Sequence, residues 1–257
     1  MNTYSSVLIT GASSGLGRAL AVKLAAPGVS LHLGGRDPER LAESAALCRA
    51  RGATVAGERV DVTDRAAMGE WITRTGQLDL VIANAGISAG SFSGEAEDAA
   101  QVRRIFATNL DGALNTALPA LELMARQAPG PDGWRGRIAC IASIAGFIAL
   151  PHAPSYCAAK AALDRWTVAT APHARRLGVR LVSVCPGYVR TPMTANNRFP
   201  MPGLMDAERA AELSLRGIAG TGERVVFPAW FGRLTRLSAL LPQRWIERAT
   251  SRVPGKG

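Results

Sequence analysis

Apolar positions follow two alternating patterns along the chain. Short apolar runs rich in Val, Ile and Leu predict buried strands, and longer stretches with apolar residues at helical spacing predict helices. The predicted strands span residues 7–10, 30–34, 54–60, 80–83, 137–142, 180–185 and 225–227. The predicted helices span residues 16–26, 38–51, 65–73, 98–124 (as two helices) and 155–177. Strands and helices therefore alternate from the start of the chain.

This alternation is typical of βαβ units, which build a parallel sheet with helices on both faces. We predict a single α/β domain with a doubly wound parallel sheet of about seven strands. It would occupy residues 1–228 and be followed by a C-terminal extension over residues 229–257. Ligands of such sheets bind beyond the carboxyl ends of the strands. The residues directly after each strand are therefore the first candidates for a functional site.

The segment TGASSGLG, residues 10–17, follows the first predicted strand and opens a helix. A helix N-terminus offers free N–H groups and the positive end of the helix dipole to a pyrophosphate. Gly11 permits a tight turn, Gly15 lets a phosphate approach the backbone, and Gly17 lets the helix pack close to the sheet. The segment therefore predicts a dinucleotide-binding loop with GxxxGxG spacing.

Two other interpretations of this segment stay open. One is an ordinary glycine-rich turn, and the other is the GxSxG nucleophile elbow of α/β-hydrolases, which residues 11–15 also match. A hydrolase needs an acid and then a histidine after a late strand. The three histidines, His32, His152 and His173, all precede the strands at 180–185 and 225–227. The hydrolase interpretation is therefore the weaker one.

Tyr156 and Lys160 are four residues apart near the start of a predicted helix, so their side chains share one face. A free phenol has a pKa of about 10, but a nearby ammonium group stabilises the phenolate and lowers that pKa. Tyr156 would then donate a proton to a nascent alkoxide or accept one from an alcohol. Ser143, after the fifth predicted strand, would hydrogen-bond the substrate oxygen. The alternative is a surface Tyr–Lys pair with no role in catalysis.

The order of five signals resembles the short-chain dehydrogenase/reductase family over roughly residues 7–193. They are TGASSGLG, Asp61-Val62, Asn84-Ala85-Gly86, Asn109, and Ser143 with Tyr156-x-x-x-Lys160; Pro186-Gly187 and Thr191-Pro192-Met193 add a further match. The resemblance implies a Rossmann fold and an oxidoreductase that moves a hydride between a nicotinamide dinucleotide and a carbonyl or alcohol carbon. It also implies a homodimer or homotetramer.

The resemblance assigns roles to individual residues. Asn109, Ser143, Tyr156 and Lys160 would form the catalytic set, with Lys160 also holding the nicotinamide ribose and Asn109 keeping a water for proton relay. Asp61 would accept a hydrogen bond from the adenine amino group. The implied cofactor-binding residues are Gly11, Ser13, Ser14, Gly15, Leu16, Gly17, Arg36, Asp61, Val62, Asn84, Ala85, Gly86, Tyr156, Lys160, Pro186, Gly187, Val189 and Thr191. Two alternatives stay open: Asp61 as a helix N-cap, and Asn109 as an amide that bonds backbone.

The end of the second predicted strand indicates which dinucleotide binds. An acidic residue there would bond the ribose 2′-hydroxyl of NAD. The sequence instead has Gly34-Gly35-Arg36, and a guanidinium can pair with the 2′-phosphate of NADP through its planar fork. Asp37 follows and is interpreted as a helix N-cap before Pro38. We therefore predict a preference for NADP(H), with NAD(H) as the alternative.

Residues 187–206 are long and turn-rich, and by resemblance they form a lid over the substrate. This segment carries methionines and a phenylalanine, which adapt to apolar ligands. The predicted substrate pocket consists of Ser143, Ile144, Phe147 and Met193. An apolar substrate is therefore favoured, although such side chains also occur in an ordinary core.

The C-terminal extension departs from the pattern of the family. Trp230, Leu234, Leu237 and Leu241 recur at helical spacing beside Arg233 and Arg236. This pattern is typical of an amphipathic helix that lies on a membrane surface. The alternative is a helix that packs against the domain or a second subunit.

Charge and composition restrict the remaining classes. The net charge is +10, from 30 basic and 20 acidic residues, but the arginines are scattered and predict no nucleic-acid site. The four cysteines have neither paired nor metal-ligand spacing, so we predict reduced cysteines, no metal site and a cytoplasmic protein, or one peripheral to the inner face of a membrane. The N-terminus has no apolar run long enough for a signal peptide.

Two function classes follow from the sequence. The first is an NADP(H)-dependent carbonyl reductase or alcohol dehydrogenase. The second is a non-catalytic dinucleotide-binding regulator or scaffold on the same fold. Ser143, Tyr156 and Lys160 favour the enzyme, because a binding protein would not need them.

Overall fold

A seven-stranded parallel sheet forms the centre of the computed structural model, which describes residues 4–88, 96–195, 197 and 199–250. The strands are β1 (Ser6–Thr10), β2 (Ser30–Gly35), β3 (Thr54–Arg59), β4 (Leu80–Ala83), β5 (Gly136–Ile141), β6 (Val179–Pro186), β7 (Val189–Arg190), β8 (Met205–Asp206) and β9 (Arg224–Phe227). The order in the main sheet is β3-β2-β1-β4-β5-β6-β9. Strands β7 and β8 pair separately as a short parallel ladder.

Helices cover both faces of this sheet. They are α1 (Gly15–Leu24), α2 (Pro38–Arg49), α3 (Arg65–Arg74), α4 (Ala99–Phe106), α5 (Gly112–Ala125), α6 (Pro154–Arg176), α7 (Ala207–Ala219), α8 (Ala229–Ser238) and α9 (Gln243–Thr250). Successive residues of a strand point to opposite faces, so Val7 and Ile9 pack into one core and Leu8 into the other. Helices α1, α2 and α7 contribute to the first core, and α3, α5 and α6 to the second.

The strand order places a switch point between β1 and β4. The chain runs outward from β1 to β2 and β3, and then returns to the other side of β1 at β4. The chain after β1 and the chain after β4 consequently continue into helices on opposite faces of the sheet, and a crevice forms at the carboxyl edge near this point. This crevice is where the predicted site residues are expected to meet.

The predicted doubly wound α/β sheet of seven strands is confirmed. The features that were not predicted include the helix α7, the β7–β8 ladder at the two ends of the predicted lid, and a π-helical turn (Ala107–Asp111) that joins α4 to α5. Residues 1–3, 89–95, 196, 198 and 251–257, which belong to the predicted domain, lid and extension, lie outside the described residues.

The burial of the cysteines tests the prediction that they are reduced, and the helices can be compared with the thickness of a lipid bilayer. All four cysteines are buried free thiols, as predicted for reduced core residues. Among the described residues, the helices are too short or too polar to cross a lipid bilayer.

A buried ion pair fastens α6 to the edge of the sheet. Asp164 of α6 accepts hydrogen bonds from Arg224 Nε and Nη2, both at 2.8 Å, and from Ser183 Oγ at 2.7 Å. Burial alone would raise the pKa of the Asp164 carboxyl, but the hydrogen bonds from Arg224 and Ser183 outweigh it and lower that pKa. The helix that carries Tyr156 and Lys160 is thus tied to β6 and β9.

Replacing Asp164 with Ala should destabilise the fold by about 3–5 kcal/mol, because the Arg224 guanidinium loses its buried partner. The matched control is Asp206→Ala, which removes an exposed ion pair with Arg190 and should cost no more than about 1 kcal/mol. Urea unfolding monitored by circular dichroism measures both. Since the folded pKa of Asp164 is lowered, its contribution is present above the unfolded pKa of about 3.9 and is lost as the pH falls toward the folded value. Equal losses in the two variants would contradict this assignment.

Candidate active site

A cavity of about 670 Å³ lies at the carboxyl edge of the sheet. It extends from the glycine loop after β1, past the ends of β4 and β5, to the segment after β6 and to α8. This is the crevice that the switch point between β1 and β4 predicts. The predicted dinucleotide loop and the predicted catalytic residues therefore line the same cavity.

Three positions of the glycine loop favour glycine, two because of their backbone conformation and one because of steric space. Gly11 and Gly15 have φ angles of 65° and 54°, in the left-handed region that side chains disfavour. A Cβ atom on Gly17 would lie 2.2 Å from the Gly11 carbonyl oxygen. The first turn of α1 therefore packs directly on the loop, and its N-terminal residues Ser14 and Gly15 line the cavity. This arrangement fits a pyrophosphate at a helix N-terminus.

Thr10 and Asn84 bind the loops after β1 and β4 together. The Asn84 side-chain amide donates to the carbonyl oxygens of Thr10 at 3.0 Å and Gly11 at 3.2 Å. The Thr10 hydroxyl accepts from the backbone amides of Asn84 at 3.0 Å and Ala85 at 3.2 Å. These bonds hold the two walls of the crevice at a fixed spacing.

Two arginines lie near the end of β2, Arg36 directly after the strand and Arg40 in the first turn of α2. Arg36 and Arg40 both line the cavity, together with Asp37. Asp37 is the N-cap of α2, as predicted: its carboxylate accepts the Arg40 amide at 3.1 Å and pairs with Arg40 Nε at 3.3 Å. The carboxylate of Asp37 is therefore engaged in capping, and the charge that Arg36 presents to this end of the cavity is positive.

Asp61 is not one of the cavity residues. Its carboxylate accepts hydrogen bonds from the backbone amide and the hydroxyl of Thr63, both at 2.9 Å. The N-cap of α3 is Asp64, which accepts the Ala67 amide at 3.0 Å. Asp61 thus forms a local turn, so the alternative of a helix N-cap is wrong, and the structure does not bring this residue to the cavity wall as expected for an adenine contact.

Asn109, within the π-helical turn, is likewise not among the residues that line the cavity. Its side-chain oxygen accepts from the Ile87 amide and its nitrogen donates to the Ile87 carbonyl, both at 2.8 Å. The side chain therefore clamps the segment after β4, as in the alternative in which it bonds backbone. This clamp fixes the loop that includes Gly86, which does line the cavity.

Ser143, Tyr156 and Lys160 converge on one wall of the cavity. Ser143 follows β5 and caps a short 3₁₀ turn (Ile144–Phe147), where its hydroxyl accepts the Ala145 amide at 3.1 Å. Lys160 is buried, and its ammonium donates to the Ile141 carbonyl at 2.8 Å. The Lys160 nitrogen lies 6.0 Å from the centre of the Tyr156 ring.

The expectation that Lys160 lowers the pKa of Tyr156 is wrong for this geometry. Burial raises the pKa of Tyr156 to about 12, and the hydrogen bond with the Ser143 side chain only partly opposes that rise. Burial also lowers the pKa of Lys160 to about 8. Removing both groups from water penalises the charged form of each, and an attraction between the two is not among the causes of either shift. At neutral pH Tyr156 is therefore a phenol that holds its proton.

Glu97 contacts the N-terminus of α6, the helix that carries Tyr156 and Lys160, and the sequence analysis missed it. Helix α6 begins with Pro154, and the next amide, that of Ser155, donates to Glu97 Oε2 at 3.0 Å. An acidic group at this position accepts a hydrogen bond from an otherwise free N–H and interacts favourably with the positive end of the helix dipole. Because Glu97 is 58 residues before Ser155, helical capping patterns do not reveal it.

Three aromatic rings line the far end of the cavity. Tyr188 stacks on Phe231 of α8 at 6.0 Å between ring centres and meets Phe199 edge-on, also at 6.0 Å. Ile144 and Met193 lie on the same walls. The predicted lid and the predicted C-terminal extension therefore contribute to one apolar subsite. The sequence analysis assigned neither Tyr188 nor Phe231 to it.

Phe147 was predicted in the substrate pocket, but it is not among the residues that line the cavity. Its ring is covered by the guanidinium of Arg236 at 4.3 Å and faces that of Arg224 at 6.0 Å. Ile144, at the start of the 3₁₀ turn, lines the cavity, whereas Phe147, at its end, contacts arginines of β9 and α8.

Most of the predicted site residues do meet in this cavity. Its walls include Gly11, Ser13, Ser14, Gly15, Leu16, Gly17, Arg36, Val62, Asn84, Ala85, Gly86, Ser143, Ile144, Tyr156, Lys160, Pro186, Gly187, Val189, Thr191 and Met193. Asp61, Asn109 and Phe147 are the predicted residues that do not line it.

Comparison with known proteins identifies relatives of this chain. The profile of the short chain dehydrogenase family matches residues 5–201. An uncharacterized oxidoreductase of Myxococcus xanthus is 36% identical over 98% of both chains. Levodione reductase of Leifsonia aquatica is 34% identical over 74% of this chain and 72% of its own. A short-chain type dehydrogenase/reductase from Mycobacterium marinum superimposes with a TM-score of 0.76, at 26% identity over 88% of this chain and 95% of its own.

Gly17→Ala should destabilise the protein by about 1–3 kcal/mol and weaken the binding of a nicotinamide dinucleotide, because the added methyl group must displace the Gly11 backbone. Gly69→Ala is the matched control, since a Cβ there meets nothing within 4 Å in the middle of α3. It should stabilise the protein by about 0.5–1 kcal/mol. Urea unfolding and NADPH fluorescence titration measure the two effects. A Gly17→Ala protein with wild-type stability and affinity would contradict the close approach at the loop.

Proposed function

The chain belongs to the short-chain dehydrogenase family, and we propose that it transfers a hydride reversibly between NADP(H) and a carbonyl or alcohol carbon. The observation that carries this proposal is the convergence of Ser143, Tyr156 and Lys160 on a cavity whose other end is a glycine loop. A glycine loop alone fits any dinucleotide-binding protein. A phenol, a hydroxyl and a buried ammonium beside it add the groups that proton transfer to a carbonyl oxygen requires.

The protein residues supply the proton and the orientation of the substrate. The nicotinamide, when bound, supplies or accepts the hydride. Ser143 orients the substrate oxygen by a hydrogen bond, and Tyr156 delivers its phenolic proton to that oxygen as negative charge develops there. Burial keeps Tyr156 protonated at neutral pH, which suits the reduction of a carbonyl group. The cationic form of Lys160 stabilises the phenolate that remains after proton transfer.

NADP(H) is the proposed cofactor, within a family that uses nicotinamide dinucleotides. Two features support the phosphorylated form. Arg36 lines the adenosine end of the cavity, where its guanidinium can pair with a 2′-phosphate in a bidentate manner. Asp37, the nearest acid, uses its carboxylate to cap α2.

The proposed substrate has an apolar body beside its carbonyl group. Tyr188, Phe199 and Phe231 border the end of the cavity beyond Ser143, and their rings offer flat surfaces to a cyclic or aromatic group. Ile144 and Met193 extend the same apolar wall. The relative named levodione reductase makes levodione a suitable member of a panel of ketones for the first assays.

Tyr156→Phe should abolish turnover while leaving NADPH affinity within about twofold, since only the proton donor is removed. The loss in kcat should be on the order of 10²–10⁴-fold. Tyr188→Phe is the matched control: it removes a phenolic hydroxyl from the same cavity but keeps the ring contacts with Phe199 and Phe231. A ketone panel monitored at the NADPH absorbance band measures turnover, and fluorescence titration measures binding.

Two results would contradict this assignment. One is a Tyr156→Phe protein that keeps wild-type turnover. The other is a wild-type protein that binds NADPH but turns over no ketone or alcohol in the panel, which would favour a dinucleotide-binding regulator or scaffold.

Arg36→Ala should raise the KM for NADPH at least tenfold and leave the KM for NADH nearly unchanged. The reason is that a charge-assisted hydrogen bond to phosphate contributes about 1.5–3 kcal/mol, and about 1.4 kcal/mol corresponds to tenfold. Arg51→Ala, which removes the same charge from an exposed position outside the cavity, is the matched control. An Arg36→Ala variant that keeps the wild-type preference for NADPH, or a wild-type protein that prefers NADH, would rule out Arg36 as the phosphate-binding residue.

A further inference from the structure

Helix α8 has two apolar faces, and only one of them is covered. Its inner face packs on the sheet through Gly232, where a Cβ would lie 2.3 Å from a Val226 methyl group. On the outer side, Trp230, Leu234 and Leu237 are 53%, 56% and 64% exposed. An ordinary surface helix places polar residues on that side. The outer side of α8 therefore needs an explanation that packing against its own domain does not provide.

The exposed apolar side chains continue beyond α8 within one short stretch of the chain. Of the nine large apolar residues that are exposed among the described residues, six lie between residues 230 and 245. We call these six the tail apolar face: Trp230, Leu234, Leu237, Leu240, Leu241 and Trp245. Apolar residues scattered singly over a surface are normal, but a cluster of this kind marks an interaction surface.

Positive charge surrounds this face. Residues 229–257 contain six basic residues and one acidic residue, so this ninth of the chain carries a surplus of five charges, half of the net +10. Arg233 lies one turn from Trp230 on α8, and Arg244 precedes Trp245 on α9; both arginines are exposed. Apolar side chains flanked by arginine, with tryptophan at the margin, match the chemistry of a phospholipid surface with anionic headgroups.

We propose that the tail apolar face docks on a lipid bilayer that contains anionic phospholipids. Its leucine and tryptophan side chains enter the boundary between headgroups and acyl chains, and Arg233 and Arg244 contact the phosphate groups. The contact is peripheral, because α8 and α9 span only ten and eight residues.

A second copy of the chain fits this surface less well. The commonest homodimers are symmetric, so the same patch faces itself across the interface. Such a contact would bring the two clusters of arginines together, with Glu247 as the one acidic residue of each tail to offset them. An anionic bilayer neutralises these charges, whereas a symmetric dimer concentrates them.

Docking would place the wall of the cavity beside the bilayer. Phe231 and Thr235, on the inner side of α8, line the cavity, so a single helix separates the apolar subsite from the tail apolar face. An α-helix with its side chains is about 10 Å thick. This consequence rests on the proposed function, in which the cavity holds an apolar carbonyl compound, but lipid binding itself does not.

Flotation of the full chain with vesicles tests the proposal without a turnover assay. Vesicles of phosphatidylcholine with phosphatidylglycerol should carry the protein upward at low salt, and vesicles of phosphatidylcholine alone should carry much less. Added salt should weaken the binding, because exposed charges are screened. Failure of the wild-type protein to float with anionic vesicles at low salt would overturn the proposal, whatever its activity with ketones.

Matched variants identify the surface. Leu234→Gln with Leu237→Gln should abolish flotation, whereas Leu47→Gln with Leu118→Gln, which removes two exposed leucines from α2 and α5, should not. Equal flotation of the two pairs would overturn the assignment to α8. All four positions are exposed, so equal thermal midpoints should confirm that the variants fold.

The charged residues have a corresponding pair of variants. Arg233→Gln with Arg244→Gln should weaken binding to anionic vesicles by roughly fivefold for each arginine. Arg65→Gln with Arg126→Gln removes the same charge from exposed positions elsewhere and should have little effect. If the wild type does not float but forms a concentration-dependent oligomer that Leu234→Gln with Leu237→Gln disrupts, the face is a subunit interface and the proposal is wrong.

Discussion

The hydrogen bond from the Lys160 ammonium to the Ile141 carbonyl joins the helix α6 to the end of strand β5. Ser143 lies two residues beyond Ile141, and Tyr156 lies one helical turn before Lys160, so this one bond sets the distance between all three groups. The Lys160 ammonium is buried, so water offers it few other hydrogen-bond acceptors in place of this carbonyl. Gly86 lies beside this group, since a Cβ there would be in ordinary contact with the Lys160 nitrogen at 3.5 Å and would crowd the Asn109 side-chain oxygen at 3.1 Å. The buried Asp164–Arg224 pair holds the same helix one turn further along.

Much of the fold could be predicted from the sequence, because its signals are local. The buried strands are short apolar runs with clear ends, and Asp37 followed by Pro38 is a typical helix start. The features that escaped prediction depend on pairing between distant residues. The β7–β8 ladder joins Val189 to Met205 through two residues on each side, which is too short to leave a pattern in either segment. The π-helical turn also leaves the local composition helical, so the sequence alone indicated two separate helices.

The candidate site likewise has some features that the sequence predicts and others that it does not. The glycine loop could be predicted because steric space determines it, and backbone geometry there excludes other residues. Asp61 and Asn109 were assigned by resemblance, but the hydrogen bonds of their side chains are formed with Thr63 and Ile87. The pKa of Tyr156 depends on burial, which the spacing between Tyr156 and Lys160 does not report. The contribution of α8 to the cavity wall depends on where the chain passes after β9, and no motif in that segment indicates it.

The four buried cysteines have a practical consequence for following this molecule in solution. Burial raises the pKa of the Cys140 thiol to about 11 and that of Cys185 to about 12, and it raises the pKa of Cys48 and Cys157 as well. Thiolates are the reactive form, so the native thiols should react slowly with maleimides in the folded state, and Cys157, which lines the cavity, is the most accessible of the four. A single cysteine introduced on an exposed position of α8 would then carry a fluorophore or spin label selectively once Cys157 is replaced.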